Sequence, residues 1–119
     1  MIRSTLGLVA AAAIVASASL GACGSGDCAA TPPTTCPKAE PSYSADVEPL
    51  ISKYCLKCHA PGGEESDIPL TSYAAVKGRS DDMPEQLKGC DMPPSSETQP
   101  TEVERNTLLS WLLCGAKNN

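Results

Sequence analysis

A chain of 119 residues has room for one small domain, and its composition is poor for an ordinary core: Phe is absent and aromatics are 3%. A domain of this size generally needs a staple, such as a disulfide, a metal or a cofactor, to stay folded. The net charge is −5, and setting aside residues 1–22, which carry only Arg3, leaves −6. With no basic patch to offset phosphate repulsion, nucleic-acid binding is excluded as a function class. The acidity serves solubility, or a preference for a basic redox partner.

Residues 1–22 read as an export signal outside the fold. Arg3 is a minimal basic start, and Leu6 to Ala18 is an alanine-rich apolar stretch. It is shorter than the ~20 residues of a permanent membrane span. Its end, Leu20-Gly21-Ala22-Cys23, resembles the lipobox of bacterial lipoproteins. That resemblance implies cleavage before Cys23, lipidation of its thiol, and an anchor made stable by several acyl chains. A plain secretory signal with a chance cysteine is the alternative. Residues 23–42 read as a flexible tether, with Gly24-Ser25-Gly26 and then Pro32-Pro33, Pro37 and Pro41 breaking any regular element. Cys28 and Cys36, close together in an exported chain, fit a small structural disulfide loop.

The folded domain is expected over 43–117. Ser44 or Asp46 can cap a helix whose apolar positions Val47, Leu50, Ile51 and Tyr54 recur at helical spacing, with Pro49 tolerated in its first turn. This helix runs into Cys55-Leu56-Lys57-Cys58-His59. Two cysteines two residues apart, followed at once by a histidine, is the pattern of covalent haem attachment. The thiols add across the vinyl groups of one porphyrin, and the adjacent imidazole reaches the iron from one face. Pro61-Gly62-Gly63 then turns the chain away.

A second short helix is expected from Thr71 or Ser72 through Val76, closed by Gly78. The stretch from Arg79 to Pro100 reads as irregular, and a loop of that length in a compact domain usually has a function. The last element is the clearest. Thr101-Glu102-Val103-Glu104 spells a capping box, the helix continues to Cys114, and Gly115 stops it. Val103, Leu108, Trp111 and Leu112 are expected to face inward.

His59 is the only histidine, which removes bis-histidine haem within one chain and histidine-rich zinc or copper sites. With Met1 lost in the signal, a second iron ligand must come from Met83 or Met92. Met92 is preferred, because Pro93 and Pro94 stiffen an extended loop behind it. Met83 has a single following proline and sits among Asp81, Asp82 and Glu85. The plainer reading of Met92 is an apolar contact. Trp111 reads as core rather than an electron conduit. Lys53, Lys57 and Lys88 read as solvated surface, or else as a positive rim beside an exposed haem edge.

Taken together, Cys55–His59 on a helix, the downstream Met92-Pro93-Pro94, and a final helix ending Trp111-Leu112-Leu113-Cys114-Gly115-Ala116 resemble the small class I cytochrome c domains, especially those on bacterial envelope proteins. The resemblance covers Tyr43 to Ala116. It implies an all-α fold of about three to four helices around one covalently attached haem c. Cys55 and Cys58 would hold the porphyrin, with His59 and Met92 as axial ligands. The implied function is electron transfer, not enzymatic catalysis, with redox proteins of the bacterial envelope as partners. The lipid at Cys23 would place the protein on a membrane, facing the periplasm or cell exterior. The interval from His59 to Met92 is short for the family, so the middle of the domain must be minimal.

With Cys23 lipidated and Cys28 paired to Cys36, this reading leaves Cys90 and Cys114 to form a disulfide tying the Met92 loop to the final helix. Two other function classes stay open. One is a haem peroxidase-like or gas-sensing site with an open sixth position. The other is a haem-free site on Cys55 and Cys58, either a redox pair or a zinc site completed by Cys90 and Cys114. A thioredoxin-like pair is disfavoured, since no βαβ pattern surrounds it.

Overall fold

The computed structural model describes residues 31–119; the export signal, the lipidation of Cys23 and any partner of Cys28 lie outside the described residues. Helices alone make up the regular structure of that part: a π-helical turn Tyr43–Val47 leads into α1 (Glu48–Tyr54), followed by α2 (Tyr73–Lys77), α3 (Met83–Lys88) and α4 (Glu102–Leu113). This is the all-α architecture expected, with one helix more than the sequence pattern marks between Arg79 and Pro100.

The start of the domain differs in detail from expectation. Ser42, not Ser44 or Asp46, is the cap: its hydroxyl accepts from the Ala45 amide at 3.0 Å. Asp46 answers by accepting the Ser42 amide at 2.8 Å. The backbone then opens in a π-turn before Pro49 enters the first turn of α1, where its missing amide costs nothing. Ser72 and Gly78 bound α2 as expected. α3 is the element the sequence pattern conceals. Pro84 sits in its first turn and Gly89 caps its end, so a proline that suggests a break instead supplies a preset starting φ.

α4 carries the expected capping box: Thr101 Oγ1 accepts from the Glu104 amide at 3.2 Å, and Glu104 Oε2 accepts from the Thr101 amide at 2.9 Å. Gly115 follows in the left-handed region at φ +92°, and the Ala116 amide closes back onto the Trp111 carbonyl at 2.9 Å, which satisfies the carbonyls a helix leaves open. Its buried face is not the one expected throughout. Leu108 and Trp111 are inside, but Val103 is 76% exposed, and Arg105 and Leu109 take the interior instead.

Tyr43, Tyr73 and Trp111 form the aromatic centre of the core, with centroid separations of 5.1, 5.6 and 6.5 Å in the edge-on range that favours aromatic pairs. Tyr73 Oη donates to the Ala116 carbonyl and Trp111 Nε1 to the Lys117 carbonyl, both at 2.9 Å. Three rings thus lock the Tyr43–Val47 turn, α2, α4 and the tail together. Trp111 is core.

The disulfides correct both expected pairings. Cys36 is bonded to Cys114, so neither Cys28–Cys36 nor Cys90–Cys114 forms. Cys90 is also disulfide-bonded, but not to Cys114. The segment 31–42, expected to be loose tether, is therefore stapled to the end of α4. Lys117 pairs with Glu40, and Asn106 donates to the Thr31 carbonyl at 3.2 Å. Local spacing favoured short loops; the fold brings the distant pair within reach, with Cα atoms 5.0 Å apart. No helix among the described residues is long and apolar enough to cross a membrane.

Candidate functional site

The Cys55–His59 run continues α1 as irregular turns. The Cys55 amide still bonds to the Ile51 carbonyl at 2.9 Å, and the His59 amide bonds to the Cys55 carbonyl at 2.9 Å. The chain from Ala60 to Leu70 then wraps back over the run: the Glu65 amide reaches the Cys58 carbonyl at 3.0 Å and the Leu70 amide the His59 carbonyl at 2.9 Å. Gly63 makes this closeness possible. A Cβ at that position would collide with the Cys58 and Lys57 carbonyl oxygens, which are backbone and cannot swing aside.

His59 is oriented by the same loop. Its Nδ1 lies 2.8 Å from the Ile68 carbonyl oxygen. A carbonyl only accepts, so Nδ1 carries a proton, and in the neutral ring the lone pair is on Nε2. A backbone carbonyl holding one ring nitrogen while the other is left to bind is the usual arrangement of a metal-ligating histidine.

Facing this loop is a cavity of about 450 Å³, lined by Cys55, Cys58 and His59 on one side and by α3 and the 92–94 loop on the other. Ile68, Leu70, Leu87, Pro93, Pro100 and Leu108 make its walls mostly apolar, and both Met83 and Met92 contribute to it. Size and lining are those of a small-molecule or cofactor site. The structure thus gathers Cys55, Cys58, His59, Met83 and Met92 around one space, with neither methionine set aside, while Cys90 and Cys114 lie outside the lining. Trp111 and the aromatic centre lie outside the lining.

Cys55 and Cys58 are the free thiols among the described residues. Burial, with a smaller contribution from the Cys58 charge, pushes the Cys55 thiol up to about 11. It therefore stays protonated near neutral pH, unlike the depressed thiol of a disulfide-exchange enzyme. Cys90 and Cys114 are both in disulfides, so neither can complete a zinc site with Cys55 and Cys58. Cys36, Glu40 and Cys114 bring ligand atoms within 4.8 Å of one another, but both sulfurs there are consumed by their disulfide.

The rim is acidic. Glu64, Glu65, Asp82, Glu85 and Glu97 line the cavity against Lys57 and Arg79. Of the positive rim considered from Lys53, Lys57 and Lys88, only Lys57 lines the cavity; Lys53 pairs with Glu104 at 3.0 Å and Lys57 with Glu97 at 2.6 Å.

Two residues that the sequence reading passes over hold the far wall. Arg105, 3% exposed, donates to the Leu87 carbonyl at 2.8 Å, the Met92 carbonyl at 3.3 Å and Gln99 Oε1 at 3.0 Å. Gln99 Nε2 in turn donates to the Pro93 and Pro94 carbonyls at 3.0 and 2.8 Å. A signal was available: Arg105 stands three residues before Leu108 and six before Trp111, on their apolar stripe.

No family model, curated protein or solved structure matches this chain.

Proposed function

We propose that the protein is a monohaem c-type cytochrome, a class I-like domain that carries single electrons and is tethered to a bacterial membrane through Cys23. The observation that carries this reading is the convergence, around one apolar cavity, of two unbonded cysteines, a histidine with Nε2 available, and thioether sulfurs. That donor set fits a covalently held haem. The core supports it too: Leu70, Leu87 and Leu108 belong to the buried apolar cluster and also line the cavity, so an apolar group bound there would extend the core.

In this reading Cys55 and Cys58 would hold the porphyrin through thioethers, and His59 would bind the iron with Nε2 while the Ile68 carbonyl fixes its ring plane. Met92 would supply the second iron ligand. Bound there, haem supplies one-electron redox chemistry, and a His/Met ligand set favours the reduced form relative to His/His. The chain's own part is to exclude water with its proline and leucine walls and to keep both ligands oriented through backbone bonds. Its acidic rim suits a partner with a basic docking face.

Expression with a c-type maturation system, followed by a pyridine haemochrome assay, tests the reading. One haem per chain is expected, lost when Cys55 and Cys58 are both changed to Ser. In the oxidised protein, the long-wavelength charge-transfer band of thioether–iron ligation is expected to vanish in Met92→Ala and persist in Met83→Ala. Absence of covalent haem from the wild type would defeat the proposal. Haem without that band, together with ready CO binding, would replace an electron carrier with an open-site haem protein.

A further inference from the structure

We infer that Arg105, acting with Gln99, is the positioning residue for Met92. Its buried guanidinium clamps the Met92–Pro94 strand so that the sulfur is presented to the cavity. The inference rests on the haem reading above and deepens it.

Three features of the chain converge on this. First, Pro93 and Pro94 have no amide hydrogens, so neither can donate a bond that would hold the loop in place. The loop is held through its carbonyls instead: Arg105 donates to that of Met92 and Gln99 to those of Pro93 and Pro94, the last shared with the Glu97 amide at 2.9 Å. Second, the two side chains are joined, Arg105 donating to Gln99 Oε1 at 3.0 Å. They form one clamp anchored in α4, which also grips the end of α3 through the Leu87 carbonyl at 2.8 Å. Third, Arg105 is nearly fully buried and its hydrogen-bond partners among the described residues are all neutral. A buried cation without a carboxylate is expensive, and an apolar residue would fill the same stripe on α4 at less cost.

What an apolar residue lacks is the planar fork. Guanidinium donors point in fixed, divergent directions and reach α3, the Met92 strand and Gln99 at once; a lysine ammonium on a flexible stem does not hold that geometry. Arg105 is not among the cavity's lining residues, so it acts on the site through Met92. With Asp91 and Met92 amides both bonded to the Gln86 carbonyl, at 3.1 and 3.2 Å, the strand is held from the α3 side and from α4. Met83, in the first turn of α3, has no such clamp.

The test uses the full-length oxidised holoprotein and reads the thioether–iron charge-transfer band and the affinity for imidazole, which competes with Met92 for the iron. Arg105→Met should weaken the band and raise imidazole affinity roughly tenfold, as expected when charge-assisted bonds holding a ligand are lost. Arg105→Lys should fall between Arg105→Met and wild type, and Gln99→Ala, at an exposed position, should shift the same way by a smaller factor. Leu109→Ala is the control for general loosening: Leu109 is buried in α4 but lies off the cavity. It should lower the thermal midpoint while leaving band and imidazole affinity at wild-type values.

If Arg105→Met does not accumulate, Arg105→Lys and Gln99→Ala decide the matter on the same readouts. Wild-type band and affinity in the clamp variants would overturn the inference, as would an equal affinity change in Leu109→Ala. Loss of the band in Met83→Ala instead of Met92→Ala would overturn it while leaving a haem electron carrier standing. Failure of the haem reading shows separately, as a wild type without haemochrome.

Discussion

At the scale of single residues, the site depends on backbone contacts that leave no room for a side chain. Gly63 lets the 60–70 loop lie directly on the Cys58 and Lys57 carbonyls, and that loop delivers the Ile68 carbonyl to His59. Gly63→Ala is therefore expected to destabilise the protein by about 2 kcal/mol, within the range of strained backbone substitutions. It should also reduce haem incorporation, because the histidine loses its orientation. Urea unfolding of the oxidised protein, paired with a haemochrome yield, measures both. A variant with wild-type stability and yield would mean that the loop does not need to close on the motif.

At the scale of elements, α4 shows how one residue serves two levels. Glu104 completes the capping box on Thr101 and also accepts from Tyr54 Oη at 2.8 Å and Lys53 at 3.0 Å, tying the start of α4 to the end of α1. The Thr101 amide first, then Tyr54 and Lys53, hold its carboxyl down to about 2, against an ordinary value of 4.5. A carboxyl whose pKa is lowered by folding stabilises the fold fully above its unfolded value, and that stabilisation is lost as pH falls through the folded value. The thermal midpoint should therefore drop between pH 4.5 and 2, and Glu104→Gln should lower it at pH 7 while flattening that acid-side decline. Thr101→Ala should cost about 1 kcal/mol, the usual worth of an N-cap hydroxyl, read by urea unfolding at neutral pH.

At the scale of the whole molecule, the Cys36–Cys114 disulfide joins residues 78 apart and turns part of an expected tether into a strap across α4. In the chain-entropy model, closing a loop of that length is worth on the order of 4 kcal/mol. That is a large share of the stability of a domain this small. Replacing both cysteines with Ser should lower unfolding stability by roughly 2–4 kcal/mol. Non-reducing peptide mapping should recover Cys36 linked to Cys114. A Cys28–Cys36 or Cys90–Cys114 linkage in that map would refute the pairing.

Periodicity and end signals were legible wherever they were local. The capping box of α4, the Ser72 and Gly78 bounds of α2, and the run of α1 into Cys55–His59 all depend on neighbours within a few residues. α3 was hidden because Pro84 reads as a breaker when its helical position is unknown. Val103 was misassigned because a helix shows its spacing in sequence but not which arc its neighbours cover.

The sequence by itself determined the chemistry on offer: one histidine, the paired Cys55 and Cys58, two candidate thioethers and an all-α domain without Phe. Only the tertiary structure decided which cysteines bond, that Arg105 goes inside, and that Ile68 carbonyl orients His59 on the wall of a cavity shared with Met92. The composition and short-range pattern of a chain define its functional groups. Their pairing across 9 residues for His59–Ile68, 13 for Arg105–Met92 and 78 for Cys36–Cys114 depends on how the helices pack, which no local pattern encodes.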